Sequence, residues 1–183
     1  MLTGETEDMK KKFQFFPIPR PVAELVCDMA ELSNYQDILE PSCGKGDLAD
    51  VIYERVPEHL ICNELNKDMA KYLDGKPYTC MYGDFLELKP GKVRAFDRIV
   101  MNPPFSKQQD IDHVYHAYEL LKLGGILVSV MSLSPFFRTN SKSVKFRKWL
   151  DMLGVEIADI PEGSFKASGT MIRTKIIKVK RLA

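Results

Sequence analysis

Residues 38–49 read Ile38-Leu39-Glu40-Pro41-Ser42-Cys43-Gly44-Lys45-Gly46-Asp47-Leu48-Ala49. A short apolar run gives way to a glycine-rich turn, and the helical spacing of residues 47–55 follows at once. Glycines at the carboxyl end of a strand permit a sharp turn and let the backbone approach a ligand closely. The same alternation extends in both directions. Upstream, Phe13, Phe15 and Phe16 lead into Pro17-Ile18-Pro19-Arg20-Pro21, which is extended because each proline disfavours helix before it. Pro21 can open a helix, and Val22, Leu25, Val26, Met29, Ala30 and Leu32 continue at helical spacing. Downstream, 59–63, 78–82, 96–101, 126–131, 155–160 and 174–179 read as strands. Residues 67–73, 109–123 and 141–153 read as helices, with Gly124-Gly125 as the stop of the second. Strand and helix in alternation mean an α/β fold, a doubly wound sheet with helices on both faces. With no repeat and no linker, residues 13–183 are expected to form one domain behind a flexible polar tail, 1–12.

The 183 residues, 45% hydrophobic and 28% charged, have the balance of a globular chain, which excludes disordered and fibrous classes. Lys and Arg total 26 against 25 Asp and Glu, but the halves differ. Residues 1–100 hold 13 basic and 18 acidic side chains, and 101–183 hold 13 and 7. The basic second half suits a polyanionic partner, and solvated charge on a sheet edge accounts for it equally. No apolar run is long enough to span a bilayer and no signal peptide opens the chain, so no membrane partner is expected. Cys27, Cys43, Cys62 and Cys80 are widely spaced, without a Cys-x-x-Cys, and there are 3 His. That pattern fits reduced thiols in a cytoplasm, and neither a disulfide frame nor a metal site is expected.

Gly44-x-Gly46-x-x-Ala49 satisfies a dinucleotide fingerprint, and Glu64 lies at a suitable distance to bind ribose hydroxyls. The turn therefore points to a cofactor of adenosine type without saying which. Two features count against a nicotinamide. The chain leaves little room for the second region a dehydrogenase needs. Glu40 would also set a carboxylate close to a pyrophosphate. A cofactor with no phosphates, a sulfonium and an amino group accommodates Glu40, which points to S-adenosylmethionine.

Asn102-Pro103-Pro104-Phe105 closes the apolar strand Ile99-Val100-Met101. Here the chain resembles the Rossmann-like, class I methyltransferases that modify planar amino groups, above all the N6-adenine DNA methyltransferases. The resemblance runs in family order from Phe16 to about Lys180. It implies a mostly parallel seven-stranded sheet with an antiparallel last strand. It also implies that Phe16 and Pro17 belong to an amino-terminal cofactor motif, and that Glu40, Pro41, Ser42, Gly44 and Gly46 form the glycine motif. Glu64 corresponds to the ribose-binding acid, Asp84 and Phe85 to the pair at the cofactor adenine, and Asn102 to Phe105 to the catalytic motif. Physics agrees with the last assignment. An amino group conjugated to a ring is a poor nucleophile, because its lone pair is delocalised. The side-chain oxygen of Asn102 and the carbonyl of Pro103 can accept hydrogen bonds from it and concentrate electron density on nitrogen. Pro103 and Pro104 stiffen the backbone, and Phe105 offers a face for a flipped base.

The expected substrate is adenine in DNA, ahead of RNA adenine or guanine and of protein glutamine. A methyltransferase-like subunit without catalysis is the alternative from a different class. The sequence shows no long insertion for target recognition. Either Lys142, Lys145, Arg147, Lys148, Lys166 and Arg173 position the nucleic acid, or a protein partner supplies recognition. Ser106–Gln109 and Phe136–Lys142 are candidates for a substrate lip. His113, His116, Tyr35 and Trp149 read as packing or surface.

Overall fold

The computed structural model describes residues 17–161, 163–165 and 173–182. The expected tail and Phe16 lie outside the described residues, as does Lys166. Chain order is α1 (Arg20–Met29), β1 (Ile38–Pro41), α2 (Asp47–Arg55), β2 (Leu60–Glu64), α3 (Ala70–Leu73), β3 (Thr79–Tyr82), β4 (Phe96–Met101), α4 (Gln109–Leu120), β5 (Leu121–Ser132), α5 (Ser134–Phe137), α6 (Ser141–Leu153), β6 (Glu156–Asp159) and β7 (Thr174–Lys180). The strands form one sheet in the order β3-β2-β1-β4-β5-β7-β6. The pairs from β3 to β5 are parallel, and β7 runs antiparallel to both β5 and β6. The sheet is thus seven-stranded and mixed, with its last strand antiparallel, as expected.

Alternate strand residues point to opposite faces. Ile38, Val100, Val128 and Ile176 join one apolar cluster with Val22 and Val26 of α1 and Leu48 and Ile52 of α2. Leu39, Ile99, Leu127 and Ile177 join the other, with Ile111 and Val114 of α4 and Phe146 and Leu150 of α6. Helices therefore cover both faces. None of the helices among the described residues is long and apolar enough to cross a membrane.

Local sequence explains most boundaries. Pro19 caps α1 in an extended conformation and Pro21 sits in its first turn, where no donor is lost. Asn140 caps α6 by accepting from the Ser143 amide at 2.9 Å, and Gly154 ends it in a left-handed conformation, φ 61°. One boundary corrects the sequence reading. Helix α4 stops at Leu120, and Gly124-Gly125 lie inside β5 instead of ending the helix. A Cβ on Gly125 would meet the carbonyls of Lys122, Asp97 and Phe96 at 2.9, 3.1 and 3.1 Å. The glycine serves close backbone approach beside the irregularity between Phe96 and Arg98 where β4 meets β5. The stretch 136–142 is also more regular than a loop, since α5 ends in Phe136-Phe137 and α6 begins at Ser141.

The order 3-2-1-4-5-7-6 reverses direction between β1 and β4. Loops leaving the carboxyl ends of these two strands diverge and open a crevice, the usual ligand site of such sheets. The glycine turn follows β1, and Asn102-Pro103-Pro104 follows β4.

Candidate functional site

A cleft of about 170 Å³ opens at this point. Of the residues singled out from the sequence, Pro17, Glu40, Ser42, Gly44, Glu64, Asp84, Phe85, Asn102, Pro103 and Pro104 line it. Pro41, Gly46 and Phe105 do not. Pro41 is buried in β1. Gly46 caps α2 with φ 90°, and a Cβ there would fall 2.2 Å from the Tyr78 hydroxyl. Phe105 is partly buried and packs on the α1–α2 side of the core.

The turn after β1 is built from left-handed residues. Ser42, Gly44 and Gly46 have φ of 65°, 59° and 90°. Glycine takes that conformation freely, whereas Ser42 holds it under strain of the kind found at ligand sites. The turn is fixed from below: the Cys43 amide donates to the Asn63 carbonyl at 3.0 Å and the Gly46 amide to the Cys43 carbonyl at 2.9 Å. Glu64 ties it to β2. One carboxylate oxygen accepts from the Gly44 amide at 2.7 Å and the other from the Asn66 amide at 2.8 Å. A carboxylate can accept about four hydrogen bonds, so both oxygens keep capacity facing the cleft.

Glu40 is only 2% exposed and still lines the cleft. The Cys62 thiol donates to the Glu40 carboxylate at 3.9 Å. Burial pushes its carboxyl well above the usual carboxylate range, and Asp47 and Asp50 reinforce this. An acidic group held neutral in this way is primed to ionise when a cation arrives. Asp84 caps a short 3-10 turn, one oxygen accepting from the Leu86 amide at 2.9 Å. Phe85, beside it, is buried and meets His116 edge-on, with centroids 4.9 Å apart.

The Asn102–Phe105 segment leads into a second strained stretch. Lys107 and Gln108 have φ of 52° and 59°. Gln108 is buried between two elements: its amide nitrogen donates to the Ser143 hydroxyl and its oxygen accepts from the Asn140 side chain at 2.9 Å. Asp110, fully buried, accepts from the Ser132 hydroxyl at 2.7 Å and the Ser132 amide at 3.1 Å. The two stretches read as a lip are thus bonded to each other. The basic residues divide by environment. Lys142 pairs with Asp112 at 2.7 Å, and Arg147 donates to the carbonyls of Pro135 and Arg138 at 2.7 and 2.9 Å. Lys145, Lys148 and Arg173 are exposed.

The cleft is also lined by Asn63 and Asn66, which sequence reasoning passed over, by Gln109, read there as part of the lip, and by His113, read there as packing or surface. Asn63 Oδ1, Asn66 Nδ2 and His113 Nδ1 are buried without a hydrogen-bond partner among the described residues. Buried polar atoms are nearly always satisfied in native proteins, so three at one cleft fit a polar ligand. A signal existed for two of them, since Asn63 and Asn66 flank Glu64 at the carboxyl end of β2.

No family model matches the chain. It is 36% identical over 111 residues to the modification methylase CviBIII of Paramecium bursaria Chlorella virus NC1A, across 55% of this chain and 28% of that protein. Among solved structures, the methyltransferase subunit of a type I restriction-modification system from Streptococcus thermophilus superposes with a TM-score of 0.77 at 21% identity, over 91% of this chain and 45% of that one. The M protein of the type I restriction enzyme EcoKI gives 0.71 at 17%, over 89% and 43%. A class I S-adenosylmethionine-dependent methyltransferase from Listeria monocytogenes gives 0.66 at 16%, over 90% and 59%. The fold is that of the class I methyltransferases. The chain spans about a quarter of the curated relative and under half of the type I subunits.

Proposed function

We propose that this chain is an S-adenosylmethionine-dependent methyltransferase domain acting on the exocyclic amino group of adenine in DNA. The observation that carries the reading is the meeting of Asn102-Pro103-Pro104 with the glycine turn and Glu64 in one cleft at the switch between β1 and β4. The residues fit this cofactor. Glu64 offers its remaining lone pairs to ribose hydroxyls, Asp84 and Phe85 offer a carboxylate and a ring to a base, and the strained turn brings backbone close, its Lys45 ammonium standing over the Tyr72 ring. Buried Glu40 suits a positively charged amino acid portion and would repel a pyrophosphate. The bound cofactor supplies an electrophilic methyl group on sulfonium.

The protein's part is orientation and polarisation. The Asn102 side-chain oxygen and the Pro103 carbonyl accept the two amino hydrogens of the target base. Both bonds strengthen as positive charge develops on nitrogen, so they act selectively on the transition state. Pro103 is buried and φ-locked, which fixes its carbonyl at no entropic cost during reaction. The proton leaves after transfer, so no strong base is required. Phe105 leaves part of its ring accessible, and a flipped base can stack on it. DNA is favoured as substrate by the modification methylase and the type I subunits to which the chain is similar. Similarity to methyltransferase subunits of type I restriction-modification systems favours target recognition shared with a protein partner.

The test offers labelled S-adenosylmethionine with duplex DNA, single-stranded DNA, RNA and protein in parallel, followed by mass identification of the methylated species. N6-methyladenine in DNA, absent with Asn102→Ala, is the expected result. Methylation of RNA or protein alone would replace the substrate, and silence with the cofactor bound would favour the subunit role.

A further inference from the structure

His113 is among the groups in the cleft that the roles above leave without a task. His113 stands on α4 one turn after Gln109, and both side chains line the cleft. Positions i and i+4 share a helix face, so the two present a polar pair to the same space. His113 is 5% exposed, and its Nδ1 is buried with no hydrogen-bond partner among the described residues. The imidazole packs against Phe85, with centroids 5.3 Å apart and planes at 44°. Burial pushes its pKa down to about 4, so the ring is neutral at neutral pH, with one nitrogen a donor and the other an acceptor.

A buried imidazole nitrogen without a partner, on a residue that lines a cleft, implies that the partner arrives with a ligand. What that ligand portion is follows from the neighbours. Glu40, Asp47 and Ser42 gather at the glycine turn and suit charged and hydroxyl-bearing groups. His113 and Phe85 offer a neutral polar atom beside a flat apolar ring, which suits the edge and face of a heteroaromatic base. We propose that His113 is a further cofactor-binding residue, whose Nδ1 hydrogen-bonds the base of the bound nucleoside while Phe85 packs beside it. The assignment rests on the cofactor reading above and adds to it a residue outside the motifs that carry the resemblance.

Calorimetry with S-adenosylhomocysteine comes first on the wild type, then on His113→Phe and His113→Asn. The Phe variant retains a ring of similar size and loses the polar atom, so its affinity is expected to fall about tenfold. The Asn variant places an amide near the Nδ1 position and should recover most of that loss. Imidazole nitrogen NMR supplies a readout that packing alone would not move. The Nδ1 resonance of His113, assigned by its absence from the Asn variant, should shift on adding S-adenosylhomocysteine or adenosine and stay in place with L-methionine. An unmoved resonance in a wild type that binds S-adenosylhomocysteine overturns the assignment and leaves the cofactor reading standing. So does a Phe variant that binds as tightly as the wild type. A wild type that binds neither ligand overturns both. If the Phe variant does not fold, the wild-type spectrum still decides.

Discussion

Asn102 is the residue on which chemistry and cofactor binding separate. On the proposed reading its oxygen acts on the amino group, whereas Glu40, Glu64 and Asp84 hold the cofactor. Asn102→Ala is therefore expected to lower kcat by about 10²–10³-fold, with little change in the dissociation constant for S-adenosylhomocysteine. Rates and calorimetry on one preparation check the split, and parallel losses in both would make Asn102 a binding residue instead. Glu40 allows a proton-linked test. Burial raises the Glu40 carboxyl above the ordinary carboxylate range and a cation settling beside it lowers it again, so where the free protein keeps this proton cofactor binding should release it and tighten as pH rises. The heat of binding then depends on the ionisation enthalpy of the buffer, and Glu40→Gln abolishes that dependence. Equal heats in phosphate and Tris would remove Glu40 from the cation's environment. The sign for stability without ligand is the reverse of the usual acid. The folded state keeps a proton on Glu40 that the unfolded chain loses, so this group makes the protein less stable as pH climbs above the ordinary carboxylate range, and Glu40→Gln relieves that loss. These residues were legible because glycine turns and Asn-Pro-Pro compress chemistry into a few adjacent positions. His113 was not legible. One histidine on a predicted helix has no neighbours in sequence that betray its surroundings, and only packing against Phe85 brings it to the cleft.

Elements were legible where a periodicity and a cap agreed. Helices α2 and α6 match the segments 47–55 and 141–153 read from spacing, and α6 carries both an Asn cap and a glycine stop. The end of α4 was misread because Gly124-Gly125 obeys the local rule for a helix stop, while strand pairing beginning at Leu121 takes those residues for β5. Tertiary pairing overrides local preference there. The lip shows the same dependence on long-range contact. Its two halves are 30 residues apart in sequence, and Gln108, in a left-handed conformation that a non-glycine residue adopts at a cost, joins them through Asn140 and Ser143. Gln108→Ala removes both side-chain bonds and leaves the buried Ser143 hydroxyl without its donor, while the exposed Asn140 can turn to water. About 1–3 kcal/mol of stability should be lost in denaturant melts. If this join orients the strained stretch after Phe105, KM for the nucleic acid rises several-fold while cofactor affinity holds. A variant that melts earlier with unchanged KM would confine Gln108 to scaffolding. At the centre of the same element, Phe146 is fully buried, and Phe146→Ala should cost about 3–5 kcal/mol without reference to either ligand.

At the scale of the molecule, topology and charge act on the same end. The sheet reverses direction between β1 and β4, and the antiparallel pairing of β5 with β7 sets Thr174 opposite Ser132, so Arg173 emerges at the end where β5 delivers the lip. Lys107 and Arg138 are exposed on that lip, and Lys145 and Lys148 are exposed on α6, which starts from it. Part of the positive charge in residues 101–183 is thus exposed at Lys107, Arg138 and Arg173, beside the ends of β4, β5 and β7, whereas Lys142 and Arg147 are already engaged within the protein. Composition alone could not make that division, because a lysine's partner depends on which helix the fold brings beside it. The consequence is measurable through salt. Each phosphate neutralised on duplex DNA contributes about −0.9 to the slope of log affinity against log salt concentration. If Lys107, Arg138 and Arg173 each contact a phosphate, replacing all three by Gln should make the slope shallower by about 2.7 and weaken binding to duplexes of any sequence. Replacing Lys142 should leave the slope nearly unchanged, since its charge is matched by Asp112. Equal slopes for the wild type and the triple variant would place the nucleic acid elsewhere on the surface. A slope shallower by about 0.9 with Lys142→Gln alone would show instead that the bound state breaks the Lys142–Asp112 pair and frees Lys142 for a phosphate, which rearranges the first turn of α6 and with it the Ser143 anchor of the lip.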